Sequence, residues 1–244
     1  MLTDMKVIVT GAASGIGKEI AIQCAKEGAK IIACDMNGSL LDELKQTLSS
    51  ADQLDTYRLD VSNYRQVAEF FTYIRENHAD VNGLVNNAGI YLGKNILDYQ
   101  ENEIDKVMDV NVKGCIYFSQ LFGAFIIGKK SKGVIVNMSS VSGIEGSSDA
   151  IYGLSKAAIL GLTKSCAMNF SPYIRVNAVA PTMVETPMMD HIPGWRKEQY
   201  LDHQLIKQPL MPEDVAHTVT FLLSEKSGHY TGATFDLNNG CYLR

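Results

Sequence analysis

Paired cysteines, clustered histidines, long basic runs and membrane-length apolar stretches are all missing from this chain of 244 residues. Each absence narrows the function. The 5 cysteines (Cys24, Cys34, Cys115, Cys166, Cys241) are scattered with no C-x-x-C pair, so a disulfide framework is not expected. Cys24, Cys115 and Cys166 sit among apolar residues, the pattern of reduced, buried thiols in a cytoplasmic protein. The 5 histidines show no H-E-x-x-H or comparable spacing, and no metal site is expected. Net charge is −5, and Lys129, Lys130 and Lys132 form the one short basic cluster, which argues against nucleic acid or an anionic membrane as the main partner. No apolar stretch approaches the length of a membrane span. The opening residues, MLTDMKVIVTG, run straight into a strand pattern, so no signal peptide is expected.

What is present is a regular alternation. Strand-like runs are KVIVT (6–10), KIIACD (30–35), TYRLDV (56–61), NGLVNN (82–87), GVIVNMS (133–139), IRVNAVA (174–180) and ATFDL (233–237). Between them apolar residues recur at helical spacing, as in Ile16, Ile20, Ala21 and Cys24, or Val67, Phe70, Phe71 and Ile74. The strands are continuous apolar runs, as strands covered on both faces require. This predicts one α/β domain over residues 1–244, a doubly wound seven-stranded parallel sheet with helices on both faces. The one long irregular stretch, about 182–212, is rich in proline and methionine and holds the only tryptophan. A loop of that length reads as a substrate-binding loop or lid, or as a plain surface excursion.

The stretch TGAASGIGKE follows the first strand. It fails the nucleotide-triphosphate template G-x-x-x-x-G-K-[ST], because Ala12 stands where the first glycine belongs and Glu19 follows Lys18. It also fails G-x-G-x-x-G, since its glycines fall at 11, 15 and 17. Gly11 and Gly15 still suit a tight turn, Gly17 a close approach of helix to sheet, and the helix N-terminus a pyrophosphate. Asp35 ends the second strand 18 residues after Gly17, where a carboxylate accepts the adenosine ribose hydroxyls of a dinucleotide and repels a 2′-phosphate. Neither Ser14 nor Met36 supplies a positive charge there, so NAD(H) is favoured over NADP(H). Asp35 could also be an ordinary strand-ending residue. Asp60-Val61 and Asn86-Asn87-Ala88-Gly89 close the third and fourth strands on the same rim, as cofactor contacts or as stabilisers of the strand ends.

Tyr152 and Lys156 lie four apart in the helical pattern YGLSKAAILGLTKSC and so share a face. An ammonium beside a phenol favours the phenolate, and a tyrosine so tuned exchanges protons with an alcohol or carbonyl oxygen. Spacing alone fits a surface pair equally well. Ser139-Ser140 at a strand end, 12 or 13 residues before the tyrosine, changes that balance. TGAASGIG, Asp60, NNAG, Asn111, the strand-ending serines and Y-x-x-x-K together resemble the short-chain dehydrogenase/reductase family, in order and spacing over about residues 5–240.

The resemblance implies a single Rossmann domain and a set of roles. Tyr152 would be the general acid/base, Lys156 would bind the nicotinamide ribose and depress the tyrosine pKa, and Asn111 would hold a relay water. Ser140 would hydrogen-bond the substrate oxygen; counting back 13 from Tyr152 selects Ser139 instead, whereas anchoring on the strand selects Ser140. Gly11, Ser14, Gly15, Ile16, Gly17, Asp35, Asp60, Val61, Asn87, Ala88, Gly89, Tyr152, Lys156, Pro181, Val184 and Thr186 would contact the cofactor. Thr182 stands where the family carries glycine. Tyr91, Ile144, Glu145, Ser147, Met183, Met188, Met189 and Trp195 are candidates for a medium-sized, partly apolar pocket.

The expected activity is interconversion of a secondary alcohol and a ketone with NAD(H). A 3-oxoacyl-(acyl-carrier-protein) reductase is the alternative, with the lysine cluster meeting an acidic carrier, and a non-catalytic NAD-binding regulator is a third. The resemblance also implies a homotetramer or homodimer, paired through long helices beginning near Asn111 and Tyr152.

Overall fold

The computed structural model describes residues 1–48, 53–192 and 194–243. Its elements alternate along the chain: β1 (Lys6–Thr10), α1 (Gly15–Lys26), β2 (Lys30–Asp35), α2 (Gly38–Thr47), β3 (Leu54–Arg58), α3 (Tyr64–Asn77), β4 (Gly83–Asn86), α4 (Glu101–Met108), α5 (Gly114–Gly128), β5 (Gly133–Met138), α6 (Ala150–Phe170), β6 (Ile174–Pro181), α7 (Gly194–His203), α8 (Pro212–Leu223) and β7 (Thr234–Leu237). The strands form one parallel sheet in the order β3-β2-β1-β4-β5-β6-β7. The winding reverses between β1 and β4, and a crevice opens there at the carboxyl ends of the strands.

Alternation along each strand feeds two apolar layers. Val7 and Val9 of β1 face a layer with Ile20 and Cys24 of α1 and Val215, Val219 and Leu222 of α8. Ile8, between them, faces the other layer with Phe70, Phe71, Phe118 and Phe122 from α3 and α5. Burying each such side chain stabilises the fold by about 1.5–3 kcal/mol before entropy is counted. Helix starts follow local chemistry: Asn63 accepts from the Arg65 and Gln66 N–H groups at the head of α3, and Pro212 opens α8 with Asp214 reaching back to the Met211 N–H.

Four expectations need correction. The third strand spans Leu54–Arg58, not 56–61: it is an edge strand paired only with β2, and β2 ends opposite it at Asp35. Asp60 and Val61 therefore lie in the turn after the strand. No helix begins at Asn111; one helical stretch runs Glu101–Gly128, with a π turn at Asp109–Lys113 in its middle. By length and composition that stretch is apolar enough to cross a membrane, contrary to expectation, but half of its most apolar window is buried, as in a core helix. Residues 182–212 are not irregular throughout, since they hold a 3₁₀ segment (Pro187–His191) and α7. Cys34 joins Cys24, Cys115 and Cys166 as a buried free thiol.

Candidate active site

The first and fourth strands end in two turns stitched to each other. The Thr10 hydroxyl donates to the Val85 carbonyl (3.3 Å) and accepts from the Asn87 and Ala88 N–H groups (3.0 and 3.1 Å). The Asn87 side-chain amide donates back to the carbonyls of Thr10 and Gly11, both at 3.1 Å. Gly11 and Gly15 take the left-handed conformation, with φ of 64° and 51°. A Cβ on Gly17 would stand 2.0 Å from the Gly11 carbonyl oxygen, so no other residue fits. The result is a rigid cradle of backbone at the head of α1.

Around this cradle runs a cleft of about 510 Å³. Gly11, Ser14, Gly15, Ile16, Asp35, Asp60, Val61, Asn87, Ala88 and Gly89 line one half. Pro181, Val184 and Thr186 continue the lining towards Ser140, Tyr152 and Lys156. Gly17 and Asn111 are buried beneath the wall and do not line the cleft. Asp35 accepts from the N–H groups of Ala13 (3.1 Å) and Asn37 (2.9 Å), which fixes its carboxylate at the rim. Asp60 is held by the Ser62 N–H and hydroxyl at 2.9 and 2.7 Å. One cation at this end was missed in the sequence: Arg58, in register with Asp35, donates from Nε to the Met36 carbonyl at 3.1 Å. Only the strand pairing brings it beside Asp35.

At the other half, α6 delivers Tyr152 and Lys156 to the cleft wall. Lys156 is buried, with Nζ donating to the Met138 carbonyl (2.9 Å) and lying 5.6 Å from the Tyr152 ring centre. The Ser140 hydroxyl lies beside the Tyr152 phenol, donating to the Pro181 carbonyl at 3.4 Å and accepting from the Ser142 N–H at 3.2 Å. Ser139 points the opposite way, its hydroxyl donating to the Lys156 backbone carbonyl at 2.8 Å. Successive residues at a strand end face opposite sides, so the strand anchor, not the count from the tyrosine, selects the serine beside the phenol. The Tyr91 ring packs edge-on against Tyr152, with centres 5.1 Å apart.

Burial pulls the Lys156 ammonium down to about 8. Burial pushes the Tyr152 phenol up to about 12, partly opposed by the neighbouring Ser140 hydroxyl. The expected depression of the phenol by the lysine is therefore not found. Desolvation disfavours both charged forms, and Nζ engages Met138 rather than the phenol.

Asn111 is buried in the π turn. Its Oδ1 accepts from the Ile90 N–H (2.8 Å), and its Nδ2 donates to the Ile90 carbonyl and the Ser155 hydroxyl, both at 3.0 Å. Its side chain thus clamps the exit of β4 to α6. π turns mark functional positions in many helices. Beneath the floor, the Asn86 amide donates to Ser119 (3.0 Å) and Asn137 (2.8 Å), and Asn137 donates to Thr163 (2.9 Å). Neither Asn137 nor Thr163 was legible as part of such a network, because its members come from β4, α5, β5 and α6.

Of the pocket candidates, Tyr91, Ser147, Met183, Met188 and Met189 line the cleft, and Ile144 and Glu145 do not. The side chain of Trp195 lies outside the described residues. Ser142, Ile192 and Tyr200 also line it and were missed. Thr182, in the family's glycine position, is buried at the wall, with Oγ1 3.7 Å from Cys241 Sγ.

Comparison with known proteins agrees with this architecture. Residues 11–242 match the family model described as enoyl-(acyl carrier protein) reductase. The chain is 37% identical over 239 residues to the 3-oxoacyl-(acyl-carrier-protein) reductase of Thermotoga maritima, covering 97% of each chain. It is 37% identical over 245 residues to the L-xylulose reductase of Caenorhabditis elegans, covering 98% of this chain and 96% of that one. A solved short-chain dehydrogenase/reductase from Brucella melitensis, titled glucose/ribitol dehydrogenase, superposes with a TM-score of 0.93 at 25% identity, over 100% of this chain and 98% of the other. The protein belongs to the short-chain dehydrogenase/reductase family of oxidoreductases, whose members use nicotinamide cofactors.

Proposed function

We propose that this chain is an NAD(H)-dependent oxidoreductase that interconverts a secondary alcohol and a ketone. One observation carries the reading: the Ser140 hydroxyl, the Tyr152 phenol and the Lys156 ammonium share the wall of a cleft continuous with the glycine cradle of α1. The cradle suits a dinucleotide, because Gly11 and Gly15 line it without side chains and Gly17 lets the Gly11 turn close on the head of α1. Asp35 takes the adenosine ribose, Asp60 and Val61 the adenine, and Pro181, Val184 and Thr186 the nicotinamide end. When bound, the cofactor supplies or accepts the hydride.

The chain's own groups do the rest. Ser140 orients the substrate oxygen, and Tyr152 gives it a proton in reduction or takes one in oxidation. Lys156 binds the nicotinamide ribose. Asn111 fixes the β4 exit with its side chain and would hold the relay water. Residues 182–212, with Met183, Met188, Met189 and Tyr200 on the cleft, act as the substrate loop. Outward-facing Ile116, Leu154 and Met168 on α5 and α6 suit pairing into a homodimer or homotetramer.

A 3-oxoacyl-(acyl-carrier-protein) reductase is the second reading, favoured by the Thermotoga relative. Against it, Lys129 caps the Ala79 carbonyl and Lys132 donates to the Pro172 carbonyl at 2.8 Å, so both serve the fold. Asp35 disfavours NADPH, although Arg58 beside it works the other way. The test is a panel of secondary alcohols, ketones and 3-oxoacyl thioesters, each with NAD(H) and NADP(H), followed by reduced-nicotinamide absorbance. NAD(H)-linked turnover of a simple alcohol or ketone is expected. NADPH-only turnover of thioesters would establish the second reading, and NADH binding without any turnover would indicate a regulator.

A further inference from the structure

The structure assigns a positioning role to Asp149: its carboxylate ties three separate segments together and sets the wall in which Tyr152 and Tyr91 face each other. The inference rests on the alcohol/ketone reading above. Asp149 has no accessible surface, and a carboxylate so buried is tolerated only when its oxygens are hydrogen-bonded. Oδ1 accepts from the Tyr99 hydroxyl at 2.7 Å and from the Tyr152 backbone N–H at 3.0 Å. Oδ2 accepts from the Gly93 N–H at 2.8 Å.

Capping α6 would need only the bond to Tyr152. The other two recruit the loop after β4 and the strand-like residue that follows the single turn Ile96–Asp98. Gly93 is left-handed, with φ of 71°, and a Cβ there would stand 3.2 Å from the Tyr91 ring. Tyr91 thus folds back over Gly93 and presents its ring to Tyr152. Holding Gly93 holds Tyr91, and the same carboxylate holds the first turn of the helix that carries the phenol. Tyr99 stays a donor, because burial and the bond to Asp149 push its phenol well above the ordinary range.

Asp149→Asn separates this role from simple capping. Asparagine caps helices as well as aspartate does, but it offers one acceptor oxygen where the two backbone N–H groups of Gly93 and Tyr152 reach different oxygens. One of them loses its partner. We expect kcat to fall about 10- to 100-fold, as for a reacting group displaced by a fraction of an ångström to 1 Å. NADH affinity, read by fluorescence titration, should stay within about twofold.

The pH profile gives a second readout. The Tyr152 phenol is faced by Ser140 after β5, Tyr91 after β4, Tyr200 of α7, and Lys156 and Asp149 on or beside its own helix. Asp149 is the negative charge in that set and opposes the phenolate. Removing it moves the acid limb of the oxidation profile to lower pH, which loss of a cap alone would not do.

Tyr99→Phe deletes one donor, leaves the cap intact and decides the matter if the asparagine variant does not fold. It should lower kcat by roughly three- to tenfold. Unchanged kcat and an unmoved acid limb in Asp149→Asn, or wild-type kcat in Tyr99→Phe, would overturn the role. A wild-type enzyme silent across the panel, or a Tyr152→Phe variant with full turnover, would instead overturn the underlying reading and this role with it.

Discussion

The two halves of the cleft are built from different materials. At the cradle, position is set by backbone: Thr10, Gly11, Asn87 and Ala88 bond to one another, and Gly17 leaves no room for a methyl group. At the α7 end, the wall is side chains on the β6–α7 connection and on α7 itself, chiefly Met183, Met188, Met189, Ile192 and Tyr200. Methionines adapt their shape to what they touch, and backbone turns do not. The first half therefore suits a ligand common to a whole family, and the second suits a substrate that differs from member to member. Tyr152 and Lys156 stand at the junction.

The sharpest break in this comparison comes from Gly17→Val. Its Cβ would overlap the Gly11 carbonyl, so NADH binding measured by fluorescence should fall at least about 100-fold, beyond what one ordinary contact contributes. Valine at Gly128, at the exposed end of α5, where a Cβ meets nothing within 4 Å, is the control and should bind normally. Next, Asp35→Ser should raise the kcat/KM ratio of NADPH to NADH by about 10- to 100-fold, because a like charge facing the 2′-phosphate is removed. Adding Arg58→Ala to that variant should take back part of the gain if the guanidinium contributes.

A smaller effect belongs to the junction. Lys156 titrates near 8 in the fold against an ordinary value of 10.5, so between those values the unfolded chain binds the extra proton and wild-type stability rises with pH. At pH 7 the buried ammonium is a liability. Lys156→Met should abolish turnover yet raise stability by about 1–2 kcal/mol at pH 7 in denaturant titrations, with the gain shrinking towards pH 10. Smallest of all, Met188→Ala should change the substrate KM by less than about tenfold and leave NADH affinity alone. A loss of NADH binding there would dissolve the distinction between the two halves.

The parts of the site legible in the sequence are those that local chemistry dictates. The glycine turn, the strands of the inner sheet and the i, i+4 pairing of Tyr152 with Lys156 need only neighbours along the chain. The end of β3 was misplaced because it depends on where β2 stops, and Leu59 and Val61 are buried by helices rather than by strand pairing. Asn111 was legible as a site residue but not as a clamp, since its partners, Ile90 and Ser155, are 21 and 44 residues away. Asp149 was invisible for the same reason: two of its three donors lie 50 and 56 residues upstream. Arg58 became a neighbour of Asp35 only through the register of two strands.

The central claim is that Tyr152 transfers the proton in a hydride-transfer reaction carried out in this cleft. It is tested most directly by Tyr152→Phe, with single-turnover oxidation of NADH by the best ketone of the panel compared with wild type. The account predicts NADH affinity within about twofold of wild type and a turnover rate at least about 1,000-fold lower, in the range general acid catalysis contributes. A variant that binds NADH normally and retains more than about a tenth of the wild-type rate would contradict it.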